Sequence, residues 1–142
     1  MFPVNYDQQL EVADRMNTYR TPPLAIVVQP DIKLYKLLAD LSPDTPWGDR
    51  KIAAEKLGSM RSPEALPGLL GALPSDPFWM VRCAIIQALE MIGDPSAIPT
   101  LREIANSDGF QVVRSYAAKA IERLSQRVRT TMSTPIRFQP KS

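Results

Sequence analysis

DPFWMVRCAIIQALEMIGDPSAIPTLREIANSDGF, residues 76–110, opens on an acid–base pair and ends on the acid of another. Asp76 is followed six residues later by Arg82, and Asp108 six residues later by Arg114. A shift of 32 residues carries one pair onto the other, and a second shift reaches Asp44 and Arg50. Much else returns in the same register. Pro63, Ala65, Pro67 and Leu69 align with Pro95, Ala97, Pro99 and Leu101. Ala53 aligns with Ile85 and Ala117, and Leu57 with Leu89 and Ile121. Leu34, Leu38 and Leu41 fall in line with Leu66, Leu70 and Leu73. Agreement at this many positions marks a repeated structural unit.

Each unit reads as a helical hairpin. The first helices, IKLYKLLADL, EALPGLLGAL and AIPTLREIA, carry apolar residues three and four apart on one stripe. Ser62–Pro63 and Asp94–Pro95 are helix starts, a capping oxygen followed by a residue with no N–H to leave unsatisfied. The second helices, WGDRKIAAEKLGSM, FWMVRCAIIQALEMI and FQVVRSYAAKAIERL, are rich in alanine, which suits close helix–helix approach. The expected hairpins span 31–60, 63–92 and 95–128. In each, the aspartate falls in the turn and the arginine in the first turns of the second helix. A carboxylate there can accept turn N–H groups and complements the positive helix end. Stacking puts each arginine near its own aspartate and within reach of the next one, so the six residues Asp44, Arg50, Asp76, Arg82, Asp108 and Arg114 are expected to form a structural ladder.

The stretch DPFWMVRCAIIQALEMIGDPSAIPTL at 76–101, with its weaker copies on both sides, resembles HEAT repeats of the phycobilisome lyase-like subtype. The resemblance covers about residues 31–124. It implies an all-α, right-handed superhelix, a solenoid of armadillo-like type, whose second helices line the concave face. It also brings to mind a bilin-bearing partner. One departure is Asp49, which stands where the other units have Val81 and Val113.

Composition narrows the chemistry. The chain has 142 residues, 44% hydrophobic and 23% charged, which suits a folded domain of ordinary size. It has no histidine and one cysteine, so neither a metal-binding cluster nor a histidine base is available. No Gly-rich phosphate loop, zinc-protease motif or nucleophile motif is present. Catalytic, cofactor-binding and metal-ligating residues are therefore expected to be none, and the chain is expected not to be an enzyme. The single cysteine, an N-terminus unlike a secretory signal and the lack of a long apolar run fit a cytoplasmic protein. Cys83 reads as an inert small residue.

The ends differ from the middle. Residues 6–19 can form a helix capping the first hairpin. The link TPPLAIVVQP is expected to be extended, either laid over the first hairpin or offered to a partner as a strand. Residues 129–142 read as a flexible basic tail after a repeat domain ending at 128. From 111 onward there are seven basic residues against one acid, Glu122.

Specificity must come from what does not repeat. Facing away from the stripe of Val81, Ala84, Ile85, Ala88 and Leu89 are Lys51, Ile86, Gln87, Glu90, Ser115, Lys119 and Arg123, with Arg127 further on. Trp47 and Trp79, one period apart, either plug the joints between hairpins or form an aromatic strip for a partner. An outward Ile86 beside a basic margin suits a protein with an acidic patch. The functional expectation is thus a protein-binding scaffold, adaptor or assembly factor. Alternatives are an auxiliary subunit of a phycobilin lyase, implied by the resemblance, and nucleic-acid binding through the basic C-terminal end. The near-neutral net charge of +2 ranks nucleic acid last.

Overall fold

The structure is a computed structural model that describes residues 31–133, with side chains described to residue 130. The chain divides between Ile32 and Lys33 into two compact units, and the hairpins belong to the second. The expected capping helix at 6–19, the LAIVV link and the tail beyond residue 133 lie outside the described residues.

Among the described residues there are six α-helices and no strand. They are α1 (Ile32–Ala39), α2 (Trp47–Met60), α3 (Leu66–Ala72), α4 (Trp79–Ile92), α5 (Ile98–Ser107) and α6 (Gln111–Ser133). The second helix of each hairpin starts 32 positions after the last, at Trp47, Trp79 and Gln111. Short 3-10 turns, Pro63–Ala65 and Pro95–Ala97, lead into α3 and α5. Proline chemistry explains them. Pro67 and Pro99 have no N–H to reach back four residues, so the first turn tightens before the α-helix can begin. Ser62 Oγ accepts the Glu64 N–H at 3.3 Å and Asp94 Oδ1 accepts the Ser96 N–H at 2.9 Å, satisfying donors at each start. The Ser96 N–H and hydroxyl hold the Asp94 carboxyl below its ordinary range.

The helices end by different devices. Gly93 closes α4 in the left-handed region at φ 81°, where glycine carries no steric cost. Arg61 closes α2 with φ 52° and must bear that cost. α6 runs to Ser133, past the boundary expected at 128, because the first helix breaker in its path is Pro135.

α4 packs between α2 and α6, and α5 packs on α6. The core runs through the hairpins as Leu34, Leu37, Leu57, Leu69, Leu73, Val81, Ile85, Leu89, Leu101, Val113 and Leu124, with Ala53, Ala54, Ala84, Ala88, Ala117 and Ala120 where helices approach closely.

Ile86 corrects an expectation. It is fully buried at 0% exposure and offers nothing to a partner. The equivalent position is Ala54, also 0% exposed, in the first hairpin and exposed Ala118 in the last. It is covered wherever another hairpin follows and open where none does among the described residues. It therefore faces the next unit, not solvent.

α2 and α4 approach each other tightly at Gly58. A Cβ added there would lie 2.8 Å from Ala88 Cα and 3.2 Å from Met91 Sδ. Gly58→Ala would gain about 1 kcal/mol of helix propensity. It would also force backbone apart, an overpacking cost of about 1–3 kcal/mol. Net destabilisation is expected, read as a lower urea midpoint than the parent; a midpoint raised by the substitution would show that the helices can separate freely.

Candidate functional site

Two surfaces concern function: the turn edge, where the charge ladder lies, and a groove across the second helices.

The ladder is diagonal. Arg50 Nε and Nη2 donate to the two oxygens of Asp76 at 2.7 and 3.1 Å. Arg82 does the same to Asp108 at 2.7 and 2.9 Å. Each carboxylate thus belongs to the following hairpin. An arginine's own aspartate contributes its backbone carbonyl: Arg82 Nη1 donates to Asp76 O at 2.8 Å and Arg114 Nη1 to Asp108 O at 2.5 Å. In the first hairpin Thr45 O takes that place for Arg50. Asp76 and Asp108 also accept the N–H groups of Phe78 and Phe110 at 2.9 Å, which shapes the turn into the helix. Asp44 behaves differently. The residue two positions on is Pro46, which has no N–H, and among the described residues no arginine bonds the exposed Asp44 carboxylate.

The aromatic rings lie on the same joints. Trp47 stacks on Phe78 with centroids 5.3 Å apart, and Trp79 on Phe110 at 6.1 Å. The Arg50 and Arg82 guanidinium groups sit over Phe78 and Phe110 at 5.9 and 5.8 Å. The rings bridge neighbouring hairpins and keep outer faces in solvent, Phe110 at 49% exposure.

Burial alone would push the Asp108 carboxyl up. The Arg82 hydrogen bonds, the Phe110 N–H and the Arg82 and Arg114 charges outweigh it and leave the group below its ordinary range. For Cys83, burial pushes the thiol up, against the pull of Arg82 and with the help of Asp108, so it is held protonated and poorly nucleophilic.

The groove joins two hollows. One, of about 520 Å³, is lined by Gln87, Glu90, Met91, Tyr116, Lys119 and Arg123. The other, of about 420 Å³, lies between Lys51, Glu55, Trp79, Met80, Cys83, Ala84, Gln87, Val112 and Tyr116. Gln87 and Tyr116 belong to both, so the groove crosses all three second helices. Of the residues expected at a partner surface, Lys51, Trp79, Gln87, Glu90, Lys119 and Arg123 line it. Ser115 is exposed outside its lining, and Trp47 lies on the turn edge. Arg127 donates to Glu90 O at 3.1 Å, placing a cation at the C-terminal end of α4. Arg123 pairs with Glu90 at 2.7 Å and Lys51 with Glu55 at 2.5 Å. The basic margin is thus partly neutralised.

Tyr116, Val112, Met80 and Met91 escaped sequence reasoning. Tyr116 stands one period after Ala84, a position assigned to the buried stripe. Its bulk was the available signal, because a ring cannot fill the space of an alanine between packed helices.

The repeated hairpins and their shared joint agree with a comparison against protein-family models, in which HEAT repeats match residues 34–122. The chain belongs to the HEAT-repeat family. No curated protein matches this HEAT-repeat chain. Such repeats commonly mediate protein–protein interaction, and among the described residues of this one no helix is long and apolar enough to cross a membrane.

Two outcomes test the joint. Arg82→Ala leaves Asp108 nearly buried without its partner, and loss of one member of a buried pair costs about 3–5 kcal/mol. Arg114→Ala removes a bond to a backbone carbonyl and a charge near Asp108 but leaves the Arg82–Asp108 pair in place, about 1.5–3 kcal/mol for a charged donor and less where solvated. Denaturant unfolding should rank Arg82→Ala well below Arg114→Ala; equal losses would mean that the diagonal pair contributes nothing.

The second outcome concerns pH. A carboxyl with a depressed folded pKa adds stability above its unfolded pKa, about 3.9, and loses it as pH falls through the folded value. Asp108→Asn should therefore lie below the parent in stability near neutrality and converge with it in strong acid. A gap that widened on acidification would reverse the assigned sign.

Proposed function

We propose that the chain is a non-enzymatic scaffold or assembly factor that takes a protein segment into the groove over α2, α4 and α6. In this reading the hairpins wind as a right-handed superhelix of the phycobilisome lyase-like subtype, with the second helices on the inner face, in the cytoplasm. The observation that carries it is the composition of the groove against that of the joints. Joint positions repeat from unit to unit, whereas groove positions run Lys51 and Cys83, or Glu55, Gln87 and Lys119. A surface that changes while its frame repeats is what recognition on a repeat protein requires.

Half-exposed Tyr116 beside Met91 and Val112 supplies the apolar contact on which such an interface centres. Lys119 pairs with no acid among the described residues and lines the groove that also holds the neutralised pairs Lys51–Glu55 and Arg123–Glu90. That arrangement favours a segment carrying an acidic residue next to an apolar one. It favours protein over nucleic acid, since Arg123 and Arg127 are already engaged with Glu90.

A photo-crosslinking residue at Tyr116 should form adducts with a protein partner in the source cell, while the same residue at exposed Arg102 on α5 should not. Adducts with nucleic acid, or equal labelling from both positions, would overturn the reading.

A further inference from the structure

Among the described residues the ladder has two open ends, and they are opposite in charge. Inside the stack, the Nε and Nη2 edge of each arginine holds the aspartate of the next hairpin. Arg114 is oriented the same way, with Nη1 on Asp108 O, but among the described residues no carboxylate meets its other edge. At the opposite end Asp44 is exposed and bonds no arginine. Asp44 stands one period before Asp76, and Arg114 one period after Arg82. A second copy continuing the register would set its Asp44 against Arg114, as Asp108 is set against Arg82.

A second pair of positions agrees independently. Gly58 lies tightly against Ala88 where α2 packs on α4. Two periods after Gly58 comes Glu122, and one period before Ala88 comes Lys56, both exposed. The same continuation brings these opposite charges together. We propose that the two ends of the hairpin stack associate head to tail, so that a second copy of this chain completes the open rung at Arg114.

Such a contact is heterologous: it makes a ring if the rotation closes and an open string if it does not. Glutamate and lysine stand where the α2–α4 joint has glycine and alanine, so the two ends are held further apart than α2 and α4. Charge, not close packing, then dominates, and the contact weakens with salt. The proposal makes no use of the groove and stands or falls apart from it.

Light scattering on the full chain at low ionic strength tests it. The parent should gain mass with concentration up to about 1 mM, the weak end of specific binding, and lose that gain in high salt. Arg114→Asp and Asp44→Arg should each remain monomeric alone. Mixed in equal amounts they should recover a species of at least twice the monomer mass, because each supplies the end the other lacks. Lys56→Glu and Glu122→Lys, both at exposed sites, provide the same mixing test if either first variant fails to fold. A parent that stays monomeric throughout, or mixtures no heavier than their components, would overturn the proposal.

Discussion

A guanidinium that leaves water at the boundary between two helical hairpins must find acceptors for its donors on both sides of that boundary. Arg50 and Arg82 do so with a fork on the following aspartate and a single donor on a carbonyl of their own turn. Neither set of acceptors is complete within one hairpin. The ion pair therefore binds the fold of each unit to the presence of the next. Its net contribution to stability is set against the desolvation of two charges, and the larger favourable term comes from the leucines, isoleucines and alanines between the helices. What the fork adds is direction. Only one register places both oxygens of Asp108 on Nε and Nη2 of Arg82.

The same period divides the second helices by task. Positions turned to the following hairpin are small or apolar, as in Ala54 and Ile86, because another helix must lie on them. Positions turned to the groove carry no such constraint, and most of them, such as Glu55, Gln87 and Lys119, differ between units. The turn edge combines both tasks. Its rings close the joint on one side and stay half in water on the other, with the arginine above them. Charge is likewise used locally before it is available to a partner. Glu90 binds Arg123 through its side chain and Arg127 through its carbonyl, so the strongly basic C-terminal sequence presents less free positive charge than its composition implies.

Spacing alone was enough for the hairpins, the helix starts at Ser62 and Asp94 and the aspartates of the turns. Each depends on local chemistry: an apolar stripe three or four residues apart, a capping oxygen, a proline without an N–H. The last helix was legible only in part: its final turns, to Ser133, fall where a flexible tail was expected, although nothing before Pro135 breaks the helix. What a single helix does not reveal is how many neighbours it has. α4 lies between α2 and α6, so its buried surface extends beyond one stripe and takes in Ile86, while Tyr116, at a position buried in the preceding unit, emerges on the last helix. The identity of each arginine's partner was open for the same reason. The six-residue gap within a unit is visible in the chain, but the carboxylate that meets Arg82 is 26 residues away and is brought there only by stacking. Sequence determined the unit and its repetition, because those follow from local hydrogen bonding and periodicity; tertiary structure decided which faces are interior and which charges are paired, because both depend on the hairpin that lies next to them.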